Sequence, residues 1–440
     1  MTVQPRNSRN ESRVDALERA TCPHCWHRFE PHETLAVARH TGLRSPSVVE
    51  GALRFRPSRF SEAGNPIDPM GEECLELACP RCFLVISRSN LGIPPLFASI
   101  VGAPASGKSY YLATATWMLR QTLPLFGWAV TDASPHDNAI IQSNEQRLFL
   151  PADPHRPVML AKTDQSGGDL YSRVDLRGRS ELLLRPFQFL LTPAAAAQGN
   201  GSPKRLLVLY DNAGEHFLPG SALGTDATRH LAQSRVILFL FDPTQDPRMR
   251  AVCRQDDPQV TKGPRGGGFV EAVTRQELIL GEMAHRIRLI KNAKPSDPLK
   301  ASLIVILAKA DLHEPFGAVL RDQSPVVRSG QHASLDLDLI REMSKLCRSV
   351  IHKSCPEFVA CAEATARKVL YIPASALGCS PEETHAADGS VFFGIKPERI
   401  RPLWVEVPFL LALQSLDPTS FPGLARPTPV AGANGQESRR

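Results

Sequence analysis

Residues 96–110 read Leu-Phe-Ala-Ser-Ile-Val-Gly-Ala-Pro-Ala-Ser-Gly-Lys-Ser-Tyr, an apolar run that leads through a loop into a helical pattern. Segment 102–109 has the spacing of a phosphate-binding P-loop, in which two glycines let the backbone N–H groups curl around phosphate oxygens. Lys108 then reaches the β- and γ-phosphates, and the Ser109 hydroxyl ligates Mg²⁺. The strand before the loop and the helix after it favour this interpretation over a plain turn with a surface lysine.

Apolar strand-like runs alternate with helical patterns from about residue 96 to residue 416. The runs 187–191 and 205–210 predict an antiparallel hairpin among otherwise parallel strands. The predicted fold class is therefore α/β, the three-layer αβα sheet of P-loop NTPases, mostly parallel with one antiparallel hairpin strand, preceded by a small zinc-ribbon-like domain. We expect three regions: a zinc-ribbon-like region with an Arg-rich arm (1–94), a P-loop domain with insertions (95–416) and a disordered tail (417–440).

Composition restricts the function classes. With 42% hydrophobic residues, no secretory apolar core at the N-terminus and no run long enough to span a bilayer, we expect a cytoplasmic protein without a membrane partner. The net charge of +6 is small for 440 residues and does not by itself indicate nucleic-acid binding. Residues 1–60 hold ten Arg and no Lys against six acidic residues, which we interpret as a solvated arm, with a phosphate-binding face as the alternative.

The second strand of the predicted hairpin is followed by Asp211-Asn-Ala-Gly214, an Asp-x-x-Gly motif at a strand end that faces the P-loop. Asp211 is predicted to hold a water on Mg²⁺ and the Gly214 N–H to sense the γ-phosphate, so that the next segment orders with GTP and relaxes on hydrolysis. In GTPases with a similar Asp-x-x-Gly motif a water-positioning Gln often follows the glycine; this chain has Glu215 there, and His216 next. Either residue is a candidate to orient the attacking water; if neither does, hydrolysis is slow or depends on a partner.

Two later motifs predict base recognition. Ala308-Lys-Ala-Asp311 follows an apolar strand and resembles the Asn/Thr-Lys-x-Asp motif of GTPases, in which a carboxylate accepts from guanine N1–H and the 2-amino group. The stem of Lys309 is expected to pack on the purine face. The stretch Pro-Ala-Ser-Ala-Leu after the last strand resembles the Ser-Ala-x loop that supports the base, here through Ser375 and Ala376. Ala308 replaces the usual Asn or Thr, a side chain that ties the base loop to the P-loop.

The motifs together predict one site. Its catalytic residues are Lys108, Asp211, Gly214 and Glu215. Its nucleotide contacts are Gly102, Ser106, Gly107, Lys108, Ser109, Tyr110, Lys309, Asp311, Ser375 and Ala376. Its Mg²⁺ ligands are Ser109, Thr163 and Asp211; Thr163 is chosen because it opens a Gly-containing stretch before the hairpin, and a plain loop threonine is an equal alternative. An arginine finger is a candidate role for Arg173, Arg177 and Arg179.

Two Cys-Pro-x-Cys motifs, Cys22 with Cys25 and Cys79 with Cys82, predict a structural zinc site. Each motif puts two thiolates on one side of a tight turn, and two such turns complete a tetrahedral Cys₄ site. The 53 residues between the motifs exceed the usual ribbon spacing, so we infer an insertion within the ribbon. A redox dithiol is the alternative, and substitute ligands are His24, His27 and Cys74. A closed Cys₄ site holds structure and takes no part in catalysis.

The order P-loop, Asp-x-x-Gly, Lys-x-Asp, Ser-Ala-x resembles that of the translation-factor-related and Ras-like class of P-loop GTPases. With the zinc-ribbon-like region in front, residues 20–416 are similar to the bacterial double-GTPase family. This resemblance implies a guanine-nucleotide switch that uses GTP/GDP, Mg²⁺ and structural Zn²⁺ and signals to a protein effector or activator in a bacterial conflict or defence system. Two alternatives stay open: a nucleotide-dependent scaffold with little hydrolysis, and an ATP-using P-loop protein whose zinc ribbon binds nucleic acid.

Overall fold

A computed structural model describes residues 19–44, 51–160, 170–176, 178–194, 203–212, 214–218, 228–261, 275–329, 332–385 and 391–421. Its strands are β1 (Ala20–Thr21), β2 (Arg28–Phe29), β3 (Leu35–Val37), β4 (Arg54–Phe55), β5 (Leu77–Ala78), β6 (Val85–Ile86), β7 (Pro95–Gly102), β8 (Trp128–Asp132), β9 (Tyr171–Leu176), β10 (Arg179–Leu184), β11 (Phe187–Pro193), β12 (Arg205–Asp211), β13 (Val236–Phe241), β14 (Ser302–Leu307), β15 (Val326–Ser329), β16 (His332–Leu335), β17 (Val369–Pro373), β18 (Glu382–His385) and β19 (Val391–Gly394). Its α-helices are α1 (Ser89–Gly92), α2 (Lys108–Thr122), α3 (Pro135–Phe149), α4 (Arg229–Gln233), α5 (Pro247–Arg250), α6 (Pro258–Thr261), α7 (Gln276–Ile290), α8 (Glu314–Asp322), α9 (Leu337–Ser354), α10 (Pro356–Thr365) and α11 (Val407–Leu416).

Within these ranges, seven strands form one sheet in the order β17-β14-β13-β7-β12-β11-β8. Neighbouring strands are parallel except at β11, which pairs antiparallel with both β12 and β8. The prediction of a large, mostly parallel sheet is confirmed, and the predicted hairpin is the β11–β12 pair. The strand order reverses at β7, which ends in the P-loop; ligands of open α/β sheets bind at such a reversal, outside the carboxyl ends of the strands.

Helices cover both faces of the sheet. Phe239 of β13 packs on Phe358 of α10, with ring centroids 5.4 Å apart, whereas Ser302 of β14 lies 3.2 Å from Ser415 of α11. In the β13–β14 register Phe239 stands opposite Val305, three residues beyond Ser302. Because side chains alternate along a strand, α10 and α11 lie on opposite faces. Strand β13 is therefore buried at every residue, as its uninterrupted apolar sequence indicates.

Several elements differ from the sequence-based expectation. Edge strand β8 and helix α3 were not predicted, because β8 is buried at one residue only and carries no continuous apolar run. The helical pattern runs through residues 334–363 in the sequence, but Pro356 begins a new helix and separates α9 from α10. Residues 417–421 of the predicted disordered tail pack on the sheet: Phe421 lies 4.5 Å from Trp128 between ring centroids.

The cysteine-containing region forms small sheets of its own, β1–β2 and β4-β3-β5-β6. Its core includes the four paired cysteines, Phe29 and Ile86. The β9–β10 hairpin joins this core through Val174, Leu176 and Leu183, so the N-terminal region packs against a hairpin that leads directly into β11. No helix in the described part of the chain is both long and apolar enough to cross a membrane.

Candidate functional site

The P-loop lies at the centre of the sheet's carboxyl edge. A Cβ on Gly102 would lie 2.8 Å from the Leu240 carbonyl oxygen of β13, so only glycine fits there. Gly107 has φ +87°, and Ala105 has φ +56°, a conformation that costs a non-glycine residue free energy. The loop backbone is therefore held in a curled conformation by its neighbours, as a phosphate cradle requires.

Lys108 and Ser106 point their polar groups into this loop. Lys108 begins α2 and is buried, and its Nζ donates to the carbonyls of Gly102 at 3.1 Å and Ala103 at 3.0 Å. The Ser106 hydroxyl is buried and has no hydrogen-bond partner among the residues described. Ser109 lies in the first turn of α2. A cation and an unsatisfied hydroxyl thus face the place where phosphate oxygens are predicted.

The Asp-x-x-Gly motif abuts the P-loop. Asp211 ends β12, and its buried Oδ1 accepts no hydrogen bond from any described residue. Burial raises the pKa of Asp211 to about 6, while the charge of Lys108 acts in the opposite direction. A Cβ on Gly214 would lie 2.4 Å from the Gly102 oxygen and 2.6 Å from the Pro104 nitrogen, so only glycine allows this approach. An orphaned, buried carboxylate oxygen suits a Mg²⁺-bound water.

A cavity of about 410 Å³ opens beside the P-loop, at the carboxyl ends of β13, β14 and β17. This volume is within the usual range of small-ligand sites. Seven of the predicted nucleotide contacts line it: Ser106, Gly107, Tyr110, Lys309, Asp311, Ser375 and Ala376. Gly102, Lys108, Ser109 and Asp211 are not among its lining residues. Motifs that are distant in sequence therefore meet at one cavity, with the P-loop at one end.

Asp311 and Lys309, which the sequence predicts to contact the base, also line the cavity. The Asp311 side chain is only 7% exposed, yet its carboxylate makes no hydrogen bond or ion pair with a described residue. Lys309 has φ +51°, and its Nζ donates to Asp242 Oδ2 at 2.9 Å and Thr244 Oγ1 at 3.0 Å. The ammonium group is thus tied to the loop after β13, and Lys309 still lines the cavity.

A rigid turn carries Ser375 and Ala376. Ser375 exchanges two backbone hydrogen bonds with Leu403, each 2.9 Å long, and its Oγ accepts from the Gly378 N–H at 3.0 Å. The turn therefore holds its shape without a ligand. Ser375 and Ala376 stand at the cavity wall, and their support of a base stays a prediction.

The remaining catalytic and metal candidates lie either outside the described residues or away from the cavity. Thr163 lies outside the described residues, although Leu160 just before that stretch donates its N–H to the Tyr110 hydroxyl at 3.0 Å. The Glu215 side chain is also outside them. His216 is buried and stacks on Tyr171 at 5.5 Å between ring centroids, and it does not line the cavity.

Sequence reasoning missed part of this site. Asp242 and Thr244 fix Lys309, and Gln245 Nε2 donates to the Pro104 carbonyl of the P-loop at 2.8 Å. The available signal was Asp242-Pro at the end of a fully apolar strand, a position at the carboxyl edge of the sheet. Phe393 of β19 also lines the cavity, and nothing in its local sequence places it there.

The two Cys-Pro-x-Cys motifs adopt the same turn. Trp26 and Phe83 follow their second cysteines with φ +56° and +61°, and each donates its N–H to the carbonyl of the first cysteine at 3.0 Å. The N–H groups of His24 and Arg81 each lie 3.4 Å from the first thiol of their own turn. Identical backbone geometry from two separate segments indicates two halves of one site.

The four thiols fit a tetrahedral ion. Sγ atoms of Cys22 and Cys82, and of Cys25 and Cys79, are 3.7 Å apart, and all four lie within 4.8 Å of one another. Zn–S bonds of about 2.3 Å in a tetrahedron place sulfurs about 3.8 Å apart. Burial raises the pKa of Cys22, whereas hydrogen bonds from the other thiols hold that of Cys79 below its ordinary value.

The substitute ligands do not join the cluster. His24 Nε2 is 3.0 Å from the Val85 carbonyl, and His27 stacks against Phe29. Cys74 Sγ faces the Glu72 carbonyl at 3.8 Å. The donor set is therefore the four paired cysteines, which leaves no open coordination position for catalysis.

Comparison with known proteins does not identify a family for this chain. No protein-family model and no curated protein sequence matches the chain. One similar solved structure is Era in complex with MgGDPNP and a segment of 16S ribosomal RNA, at 15% identity and a TM-score of 0.22, over 68% of this chain and 61% of that chain. Another is a variant of Aquifex aeolicus Era bound to GDP and aluminium fluoride, at 17% identity and a TM-score of 0.18, over 66% and 53%. Both matches span less than two thirds of the Era chain, and such low TM-scores establish neither a shared family nor a shared activity.

Proposed function

We propose that this protein is a Mg²⁺-dependent guanine-nucleotide switch with the P-loop NTPase fold. One observation carries the proposal: the P-loop, Lys-x-Asp and Ser-Ala-x motifs line a single cavity, and the Asp-x-x-Gly motif abuts its P-loop end. Asp211 Oδ1, near the phosphate site, is a buried acceptor with no partner among the described residues, and Asp311, only 7% exposed, lines the cavity at the base site. Buried polar groups are normally satisfied, so a ligand that supplies donors at one end and a metal-bound water at the other completes the site.

The base end selects guanine. A buried carboxylate gains most from a ligand with two adjacent N–H donors, which guanine offers at N1 and the 2-amino group and adenine does not. Lys309 presents its stem to the purine because Asp242 and Thr244 hold its ammonium group. The fixed turn at Ser375 supports the opposite part of the base pocket.

The phosphate end positions and neutralises charge. Lys108 exchanges its two loop carbonyls for the β- and γ-phosphates, and the loop N–H groups donate to the same oxygens. Burial raises the pKa of Asp211 to about 6, so at pH 7 its carboxylate would be available to hold a water of a Mg²⁺ ion, for which Ser109 would be a ligand. A γ-phosphate meets the Gly214 backbone because Gly214 lies against the P-loop.

Intrinsic hydrolysis depends on which residue orients the attacking water. His216 is buried, stacks on Tyr171 and does not line the cavity, so we propose Glu215 or a group supplied by a protein activator for this role. This favours slow GTP turnover that a protein activator accelerates. It also supports the alternative of a nucleotide-dependent scaffold with little hydrolysis. The resemblance to double-GTPases adds a role in bacterial conflict or defence. The Cys₄ cluster holds Zn²⁺ as a structural ion.

Changing the base-reading carboxylate tests the proposal. Asp311→Asn replaces an acceptor with an amide that suits xanthine, so GTP affinity falls about 30-fold and xanthosine triphosphate affinity rises. Isothermal titration calorimetry measures both, with Asp322→Asn on the exposed surface of α8 as the matched control. Unchanged GTP affinity in Asp311→Asn would contradict guanine recognition by this residue.

A further inference from the structure

Tyr210 connects the cysteine cluster to the nucleotide site. It precedes Asp211 on β12 and is fully buried. Trp26 Nε1 donates to its hydroxyl at 2.9 Å, and the hydroxyl donates to the Pro23 carbonyl at 2.5 Å. Pro23 lies inside the Cys22–Cys25 turn. The Tyr210 hydroxyl therefore hydrogen-bonds directly to the backbone of the turn that carries two of the four cysteines.

The other side of Tyr210 reaches the residues around Asp211. Its ring stacks on His230 at 4.8 Å between centroids. His230 Nδ1 lies 2.7 Å from Ser99 Oγ of β7, and its Nε2 lies 3.3 Å from the Asn212 amide nitrogen. The residues on either side of Asp211 are thus held by one buried network that ends at the metal-binding turn.

A second route runs through the β9–β10 hairpin. Val174, Leu176 and Leu183 share a core with the four cysteines. At the start of the same hairpin the Tyr171 hydroxyl donates to Asn212 Oδ1 at 3.0 Å, and its ring stacks on His216. The cysteine region therefore contacts the segment after Asp211 from two directions, and neither route passes through the P-loop.

We propose that the cysteine region is a clamp whose metal occupancy and nucleotide binding stabilise each other, with Tyr210 as the positioning residue between them. This inference rests on the proposed function of the nucleotide site. Loss of the metal frees the turn that fixes the Pro23 carbonyl and Trp26, whose φ of +56° the turn imposes. Tyr210 then loses its hydrogen-bond partners, and the end of β12 no longer holds Asp211 against the P-loop. Thermodynamic linkage makes the effect reciprocal, so bound nucleotide also retains the metal.

The zinc affinity of the full-length protein tests the clamp. The protein is loaded with one equivalent of Zn²⁺, and the equilibrium partition of zinc between the protein and a chromogenic chelator is measured with and without Mg²⁺ and a non-hydrolysable GTP analogue. We expect the nucleotide to raise the zinc affinity of the wild type about tenfold. Tyr210→Phe keeps the ring on His230 but removes the hydroxyl, so this effect falls below about twofold while zinc and nucleotide still bind.

Controls separate a coupling role from a purely structural one. Tyr371→Phe removes a partly buried hydroxyl on β17, remote from the cysteine cluster. We expect this variant to keep the tenfold effect of the nucleotide on zinc binding. If circular dichroism shows that Tyr210→Phe does not fold, Trp26→Phe is the second variant. It removes the N–H that donates to the Tyr210 hydroxyl, and we expect it to reduce the effect of the nucleotide on zinc binding in the same way. Calorimetric binding of the nucleotide with no change in zinc affinity would overturn the clamp alone. Absence of nucleotide binding by the wild type would overturn the proposed function and the clamp with it.

Discussion

The cysteine cluster and the nucleotide cavity are assembled in opposite ways. The cluster consists of two copies of one local turn, and its thiols already lie at the separations that a tetrahedral ion requires. The cavity takes its walls from the P-loop, the loop after β13, and the ends of β14 and β17. Asp311, only 7% exposed, is one of the residues that line it. Asp211 Oδ1, a buried acceptor with no partner among the described residues, lies outside this lining. A structural site completes its geometry locally, whereas a ligand site leaves polar groups for the ligand to complete.

Removing a ligand of the cluster is expected to have the largest effect. Cys79→Ser leaves three thiolates, so the protein purifies with little zinc and its melting temperature falls by at least about 10 °C, because structural zinc contributes folding free energy directly. Metal analysis and calorimetric melting measure this. Cys361→Ser, half-buried outside the cluster, is the control and changes the melting temperature by less than about 3 °C. If Cys79→Ser and Cys361→Ser had the same melting temperature, the cysteine cluster would not be the structural site that the account describes.

The P-loop lysine gives the next largest effect, and it acts on binding. Lys108→Ala removes the cation that bridges the phosphates, so affinity for GTP falls about a hundredfold while zinc content stays the same. Calorimetry measures the affinity, and Lys345→Ala on the exposed face of α9 serves as the control. Loss of zinc from nucleotide-free Lys108→Ala, compared with nucleotide-free wild type, or full GTP affinity in the variant, would contradict the division of roles.

His230 lies between the regions and predicts a pH dependence. Burial, with the charge of His216, lowers its pKa to about 3. The unfolded chain takes up a proton near pH 6.5 and the folded one does not, so stability is full above that pH and decreases as the pH falls. From pH 7 to pH 5 the contribution is about 2 kcal/mol. Urea unfolding at both pH values measures it; His230→Gln loses this part of the slope, whereas exposed His352→Gln keeps it.

The smallest effect is expected from Ala308, which stands where the resembling GTPase motif has Asn or Thr. Ala308 lines the cavity and has no side chain to reach the P-loop. Ala308→Asn adds one hydrogen bond at most, so GTP affinity rises about two- to tenfold. Competition binding measures the change, with ATP affinity in the same variant as the reference. A loss of GTP affinity would show that this wall is already complete.

Sequence was most informative where one local pattern sets the geometry. The P-loop, β13 and both cysteine turns follow from spacing and apolar runs, and so does the position of Asp211. The contact between Lys309 and Asp242, and that of Phe393 with the cavity, depend on how distant segments pack. Tyr210 also could not be identified from the sequence. There it looks like an ordinary core residue of β12, whereas in the structure its hydroxyl joins the two regions.

The central claim is that the cavity recognises guanine, and nucleotide competition tests it most directly. A fluorescent GTP analogue bound to the wild-type protein with Mg²⁺ is displaced by unlabelled GTP or ATP. The unpartnered carboxylate of Asp311 predicts that GTP displaces it at about a hundredfold lower concentration than ATP. Displacement by ATP and GTP at equal concentrations would contradict the account.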